Sequence, residues 1–220
     1  MRVKELWRYP VKSLRGEQLA EAEVSSNGIV GDRRVAVVSS ESRVITSRTK
    51  PRLLGLQGGI GADGEPTVNG WAWHTQEAAR LVQQATGAES PLVPMSGDEA
   101  FDVLPLLVAT DGAVNYLGID SRRLRPNILI ADVAGLAERE WPGGTLTIGS
   151  VRIRVAKLRE RCVMTTFDPD TLRQDLNVLR RIVDKLDGTM ALDCAVEEPG
   201  LIRIGDPVAF LPRSGSHGRL

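Results

Sequence analysis

The amino-acid sequence predicts a mainly β protein of the α+β class, built as two β-barrel-like lobes with a few peripheral helices. Three observations carry this expectation. Aromatic residues are only 4% of the chain while Gly (22) and Pro (12) are plentiful, so turns are frequent. Short runs rich in Val, Ile, Leu and Thr recur between those turns, at strand length rather than helix length. Only three segments fit a helix.

Taken in order, Val3 to Arg8 reads as a first strand, closed by Pro10. Leu19 to Val24 is a second, ending at the turn Ser26-Asn27-Gly28. Arg34 to Val38 and Arg43 to Thr46 read as a hairpin around Ser39-Ser40-Glu41-Ser42, and Leu53 to Leu56 as a fifth strand. Gly58-Gly59-Ile60-Gly61 lacks the following helix and Lys-Ser/Thr of a phosphate loop and reads as a plain loop. A helix then starts at the N-cap Thr75 and stops at Gly87, with Ala78, Leu81, Val82 and Ala85 on one buried face. The polar stretch Ser90 to Gly97 reads as a connection, which gives domains at residues 1–90 and 91–212 and a flexible tail at 213–220.

In the second half, Leu106 to Ala109 is a strand and Gly112 to Leu117 a short helix, capped by Thr110 or Asp111 and ended by Gly118. Strands follow at Asn127 to Ala131, Thr145 to Ile148, Val151 to Lys157, Cys162 to Thr166, Ala191 to Val196 and Val208 to Leu211. Gly149-Ser150 is a two-residue hairpin turn. The last helix spans Leu176 to Leu186, with Leu176, Leu179, Ile182, Val183 and Leu186 expected on one face and Gly188 stopping it.

Twenty-eight basic residues balance 28 acidic ones. That balance argues against general nucleic-acid binding, which draws on a basic excess, yet allows a local anion site of a few arginines. No run approaches the roughly 20 apolar residues of a membrane span. The N-terminus is no signal peptide, so the expectation is a cytoplasmic chain with no membrane partner. Two cysteines, Cys162 and Cys194, exclude a disulfide framework and a protein-held iron–sulfur cluster. Two histidines, His74 and His217, exclude a His-rich metal site.

Four places can carry chemistry. Cys162 follows Arg159-Glu160-Arg161, whose positive charge suits an anionic sulfur as nucleophile or metal ligand; alternatively it is a buried, inert cysteine. Lys12-Ser13, at a strand end, suits a phosphate or is a solvated turn. Arg33, in Gly31-Asp32-Arg33-Arg34, offers a planar fork for phosphate or carboxylate, or belongs to a charged turn. Arg125-Pro126-Asn127 is more specific. Pro126 should hold Arg125 extended, so that Arg125 and Asn127 point the same way and Asn127 can read a heterocycle edge.

Together these segments resemble the MOSC family and the β-barrel domain that precedes its MOSC domain. Leu6-Trp7-Arg8-Tyr9-Pro10-Val11-Lys12-Ser13, Gly31-Asp32-Arg33 and Thr46-Ser47-Arg48-Thr49-Lys50-Pro51-Arg52-Leu53 are similar to signatures of the first domain. Arg125-Pro126-Asn127-Ile128, Arg161-Cys162 with Thr165-Thr166-Phe167-Asp168-Pro169-Asp170-Thr171, and the stretch from Glu198-Pro199-Gly200 to Val208 are similar to those of the second. Leu172 departs from the pattern, standing where the family often has glycine. The resemblance implies a molybdenum cofactor, a phosphate-bearing pterin dithiolene that chelates molybdenum. Cys162 would be the metal ligand and catalytic residue. Lys12, Ser13 and Arg33 would hold the cofactor from one lobe, and Thr110, Arg125, Asn127 and Arg161 from the other. By pattern the chain looks like amidoxime-reducing and 6-hydroxylaminopurine-reducing proteins. That implies reduction of small N-hydroxylated compounds with electrons from an external donor protein of ferredoxin, flavin or haem type. The family also carries an association with pyridoxal phosphate. Alternative readings are a sulfur carrier using a Cys162 persulfide and a non-catalytic module that stores the molybdenum cofactor.

Overall fold

A computed structural model of the chain describes residues 1–95 and 97–213, leaving aside the side chains of Asp98 and Glu99. His217, and all of the polar tail except Arg213, lie outside the described residues. The fold is mainly β with three helices, α1 (Gln76–Thr86), α2 (Asp111–Leu117) and α3 (Leu176–Leu186), and among the described residues no barrel closes.

The largest sheet has eight strands. In spatial order they are Val208–Leu211, Thr145–Ile148, Val151–Glu160, Thr189–Glu198, Leu106–Thr110, Ile128–Ala131, Arg2–Arg8 and Glu17–Leu19. Leu106–Thr110 and Ile128–Ala131 run parallel because α2 crosses over between them; the other neighbours are antiparallel. Both faces of the sheet are covered at its centre. One face places Leu6, Val108, Ile128, Ile130, Ile153 and Leu192 in the main core. The other places Ala109, Leu129 and Ala191 against α2 and α3. This explains why Ile128–Ala131 is buried at every position and reads as a continuous apolar run. Full burial of each such Ile or Leu contributes about 1.5–3 kcal/mol.

The first lobe has its own core of Val11, Leu14, Val35, Val37, Leu53, Val68, Ala78 and Val82. The Thr75 hydroxyl caps α1 by accepting from the Ala78 N–H, and Gly87 ends it in the left-handed region, as its sequence predicts. The first lobe is not separate from the second. Arg2–Arg8 lies inside the large sheet beside Ile128–Ala131, and Glu21–Ser25 pairs with Gly200–Arg203.

Several expectations are corrected. The stretch Leu19 to Val24 is two strands, because the chain changes sheets at Ala20. Arg43 to Thr46 keeps only a single bridge, Val38 to Val44. The Ser39 hydroxyl draws in the N–H groups of Glu41 and Arg43 and holds a turn there. Pro51 starts a 3-10 turn over Pro51–Gly55 in place of a strand at Leu53 to Leu56. Gly58–Ile60 is a strand, paired with Pro66–Val68, not a loop. The stretch Ser90 to Gly97 is more than a connection, since Leu92–Pro94 pairs with Val35–Val37 of the first lobe. On α3 the buried stripe is Val178, Ile182 and Leu186, while Leu176 and Val183 face outward at 60% and 51% exposure.

Candidate functional site

Cys162 stands at the mouth of the large sheet. Its strand stops at Glu160, two residues earlier than the sulfur, and Cys162 opens a 3-10 turn over Val163–Thr166. The β-branched run Val163, Thr165, Thr166 suggests a strand, but the threonine hydroxyls bond backward. Thr165 Oγ1 donates to Cys162 O at 2.9 Å and Thr166 Oγ1 to Val163 O at 2.6 Å. Both threonines are fully buried, so the turn is anchored and Cys162 is left half-exposed.

Around the sulfur lies a cleft enclosing about 490 Å³, open solvent included. Arg33, Arg48, Arg123, Arg125, Arg159 and Arg161 line it, with Asp102 and Glu160. Arg161 donates from Nη2 to Leu124 O at 2.8 Å, while its buried Nε has no partner. Burial, with Arg159 beside it, pushes the Arg161 guanidinium down to about 10. Arg125 is not extended. It caps the 3-10 turn Ser121–Leu124 in the left-handed region at φ 57°, because that turn must be closed before Pro126. This swings its guanidinium over the Tyr9 ring at 4.3 Å, within cation–π range. Burial lowers the pKa of Arg125, and Arg33 nearby adds to the effect. Among the described residues, neither Arg125 nor Arg161 forms an ion pair.

The remaining cations are tied down. Arg33 pairs with Asp32 and lies 5.7 Å from the rings of Tyr9 and Phe101. Lys12 Nζ reaches Asp102 Oδ1 at 3.1 Å and Ala100 O at 3.2 Å. Asp102 also takes Arg48 and Arg159 at 3.3 Å each. Burial pushes the Asp102 carboxyl up, but Lys12, Arg48 and Arg159 outweigh it and hold it below its ordinary value.

The structure therefore gathers Arg33, Arg125, Arg161 and Cys162 in one cleft, with Lys12 joined through Asp102. It does not bring the other three to the surface of that cleft. Asn127 is wholly buried. Its amide donates to Asp32 Oδ2 at 3.1 Å and Trp7 O at 3.4 Å, and its Oδ1 accepts from Leu107 N at 3.1 Å. Both donors are occupied, so Asn127 holds Asp32 instead of reading a heterocycle. Thr110 is 1% exposed and caps α2 through the Ala113 N–H. Ser13 is buried at a left-handed backbone position, φ 74°.

Tyr9, Asp32 and Asp102 complete the site without having been singled out in the sequence. Tyr9 N donates to Asp32 Oδ1 at 2.6 Å and Tyr9 Oη to Pro126 O at 3.2 Å, so the ring that carries two guanidiniums is fixed at both ends. Tyr9 and Asp32 lie within residues 6–13 and 31–33, where the sequence carries a signal; Asp102 carries no local signal.

A model of the MOSC N-terminal beta barrel domain matches residues 1–100, and a model of the MOSC domain matches residues 107–209. The chain belongs to the MOSC family. Human "Mitochondrial amidoxime reducing component 2" is 28% identical, over 94% of this chain and 82% of that protein. Human "Mitochondrial amidoxime-reducing component 1" is 26% identical, over 95% and 82%. A crystal structure described only as a hypothetical protein shares the fold at a TM-score of 0.50 and 12% identity, over 98% of this chain and 70% of that one. Both human relatives are named as amidoxime-reducing components.

The residues present fit a molybdenum cofactor. The unpartnered Arg161 Nε and the two unpaired guanidiniums call for an anion, which a pterin phosphate supplies. Among the described residues no three His, Cys, Asp or Glu side chains gather into a metal site. A soft cysteine sulfur such as that of Cys162 is the donor type that suits a metal already bonded to sulfur. Cys194 is fully buried, and burial pushes its thiol well up. No helix among the described residues is long and apolar enough to cross a membrane.

Proposed function

We propose that this MOSC chain holds the molybdenum cofactor in the Cys162 cleft and reduces small N-hydroxylated compounds with electrons from a separate donor protein. The observation that carries this reading is the buried, unpartnered Arg161 Nε beside a half-exposed Cys162, in a cleft lined by six arginines. Cys162 would ligate the metal. Arg125 and Arg161, with Arg33 and Lys12 from the other lobe, would hold the phosphate and pterin. Bound there, the cofactor supplies two-electron redox chemistry at molybdenum.

This chain's own residues position and neutralise. Tyr9 and Asp32 fix the faces of Arg33 and Arg125, and Asp102 fixes Lys12, Arg48 and Arg159. Reduction breaks the N–O bond, takes up two electrons and two protons, and leaves an N–H group and water. The electrons come from a ferredoxin, flavin or haem protein, since Cys162 and Cys194 cannot hold a cluster between them.

Metal and pterin analysis of the purified chain tests the reading. One molybdenum per chain is expected in the wild type and a large loss in Cys162→Ala. Molybdenum retained at full level in that variant would overturn the assignment of Cys162. A single-sulfur mass adduct on Cys162 without molybdenum would favour a sulfur carrier instead.

A further inference from the structure

A second chamber adjoins the cofactor cleft. Arg123, Arg125 and Met164 line both and form their common wall. The chamber encloses about 520 Å³, open solvent included. Its character is the opposite of the cleft's. Trp7, Tyr9 and Phe167 supply aromatic rings, and Leu54 and Met164 supply apolar surface.

Four arginines also border it, but two are neutralised. Arg122 is held by Asp120 and Asp170 at 2.7 Å each, and Arg123 by Asp168 at 2.9 Å. Arg125 lies on Tyr9. Arg15 donates one Nη to Pro169 O, and its buried Nε has no partner. An apolar slot with ring walls, in which Arg15 is the one cation neither paired with a carboxylate nor shared with the Cys162 cleft, describes a definite kind of ligand.

We propose that this chamber seats the substrate, and that it selects a flat aromatic N-hydroxylated compound carrying an acidic group. The ring lies among Trp7, Tyr9 and Phe167, the acid meets Arg15, and the N-hydroxy end meets the wall shared with the Cys162 cleft. The proposal rests on the reading of that cleft as the redox centre. A carboxylate pairs with the Arg15 guanidinium, which lines the chamber and, among the described residues, forms no ion pair. The same arginines repel a cationic ligand.

Calorimetric titration of the full chain as purified tests this, with 4-carboxybenzamidoxime as probe and benzamidoxime as its uncharged comparison. The half-exposed Leu54 allows Leu54→Trp to fill the chamber, and affinity for both probes is expected to fall at least about tenfold. Arg15→Gln is expected to weaken 4-carboxybenzamidoxime by about tenfold while leaving benzamidoxime nearly unchanged. Molybdenum and pterin content stay at the wild-type level in both. Unchanged affinities would overturn the proposal, as would loss of pterin in Leu54→Trp, which would give the chamber to the cofactor. If Leu54→Trp does not fold, Arg15→Gln decides alone. A wild type without molybdenum that still binds the aromatic acid defeats the reading of Cys162 and leaves the chamber standing. A wild type with molybdenum that binds neither probe defeats only the chamber.

Discussion

Asn127 shows how one side chain can support a cleft without lining it. It has no exposed surface, and its three hydrogen bonds join Asp32 in the first lobe to Trp7 and Leu107 in the large sheet. Asn127→Ala strips a partner from a buried carboxylate and from the Leu107 N–H. A loss of about 2–4 kcal/mol is expected, from roughly 1–3 kcal/mol per buried group left unpaired. Urea unfolding monitored by circular dichroism checks it; a loss under about 0.5 kcal/mol would refute the structural role, being the size expected of an ordinary surface change. The sequence marks Asn127 as unusual, because a buried amide before an apolar strand needs a reason. It does not say which way the amide points. That depends on Arg125 turning left-handed at the end of a 3-10 segment, which reverses the expectation that residues 125 and 127 share a direction. Cys162 is the contrary case. Its charged neighbours Arg159 and Arg161 are adjacent in sequence and remain beside it in space, so its environment was legible early.

Elements that satisfied a local rule were legible, and those ruled by side-chain hydrogen bonds were not. The cap Thr75 and the stops Gly87 and Gly118 occur where the sequence puts them, and of Thr110 and Asp111 it is Thr110 that caps the second helix. The strand assigned to Cys162 to Thr166 fails because two buried hydroxyls make it a turn. Leu172, where the resemblance expects glycine, takes φ 58°, a left-handed backbone that favours glycine. The entry to α2 contains a subtler feature. Glu138, on the 3-10 turn Ala137–Glu140, is 2% exposed and has an Oε2 without a partner. Burial raises its pKa above the ordinary value. The folded chain therefore holds this proton more tightly than the unfolded chain does. The resulting stability is complete below the unfolded carboxyl value and is lost as pH rises through the folded value. Glu138→Gln keeps the group neutral throughout. The variant is expected to gain on the order of 1 kcal/mol at neutral pH, the size of one relieved buried polar atom. That gain should vanish on acidification. Thermal melts of both proteins from acidic to neutral pH measure the difference. A gain that does not depend on pH would refute the assignment.

At the scale of the molecule, the two matched domains are interleaved and not simply joined end to end. Arg2–Arg8 sits between Glu17–Leu19 and Ile128–Ala131, and Gly200–Arg203 supplies the partner of Glu21–Ser25. Ala22, Val24 and Ile29 from the first half, with Ile202 from the second, belong to the same core as Ile128, Ile130 and Ile153. The Cys162 cleft follows from this crossing, since Arg33 and Arg48 reach it from one half and Arg125, Arg161 and Cys162 from the other. Such an arrangement predicts shared stability. Cut from the chain, residues 91–220 would leave Ile128–Ala131 without its Arg2–Arg8 neighbour, exposing an apolar strand edge open to pairing with other copies. The full chain is expected to unfold in one cooperative transition, while the isolated fragment aggregates or stays unfolded. Scanning calorimetry of the full chain, with sedimentation and circular dichroism of the fragment, separates the cases. Two resolved transitions, or a monomeric folded fragment, would show that each half stands alone, and the cleft would then be a contact between independent domains instead of a product of their common core.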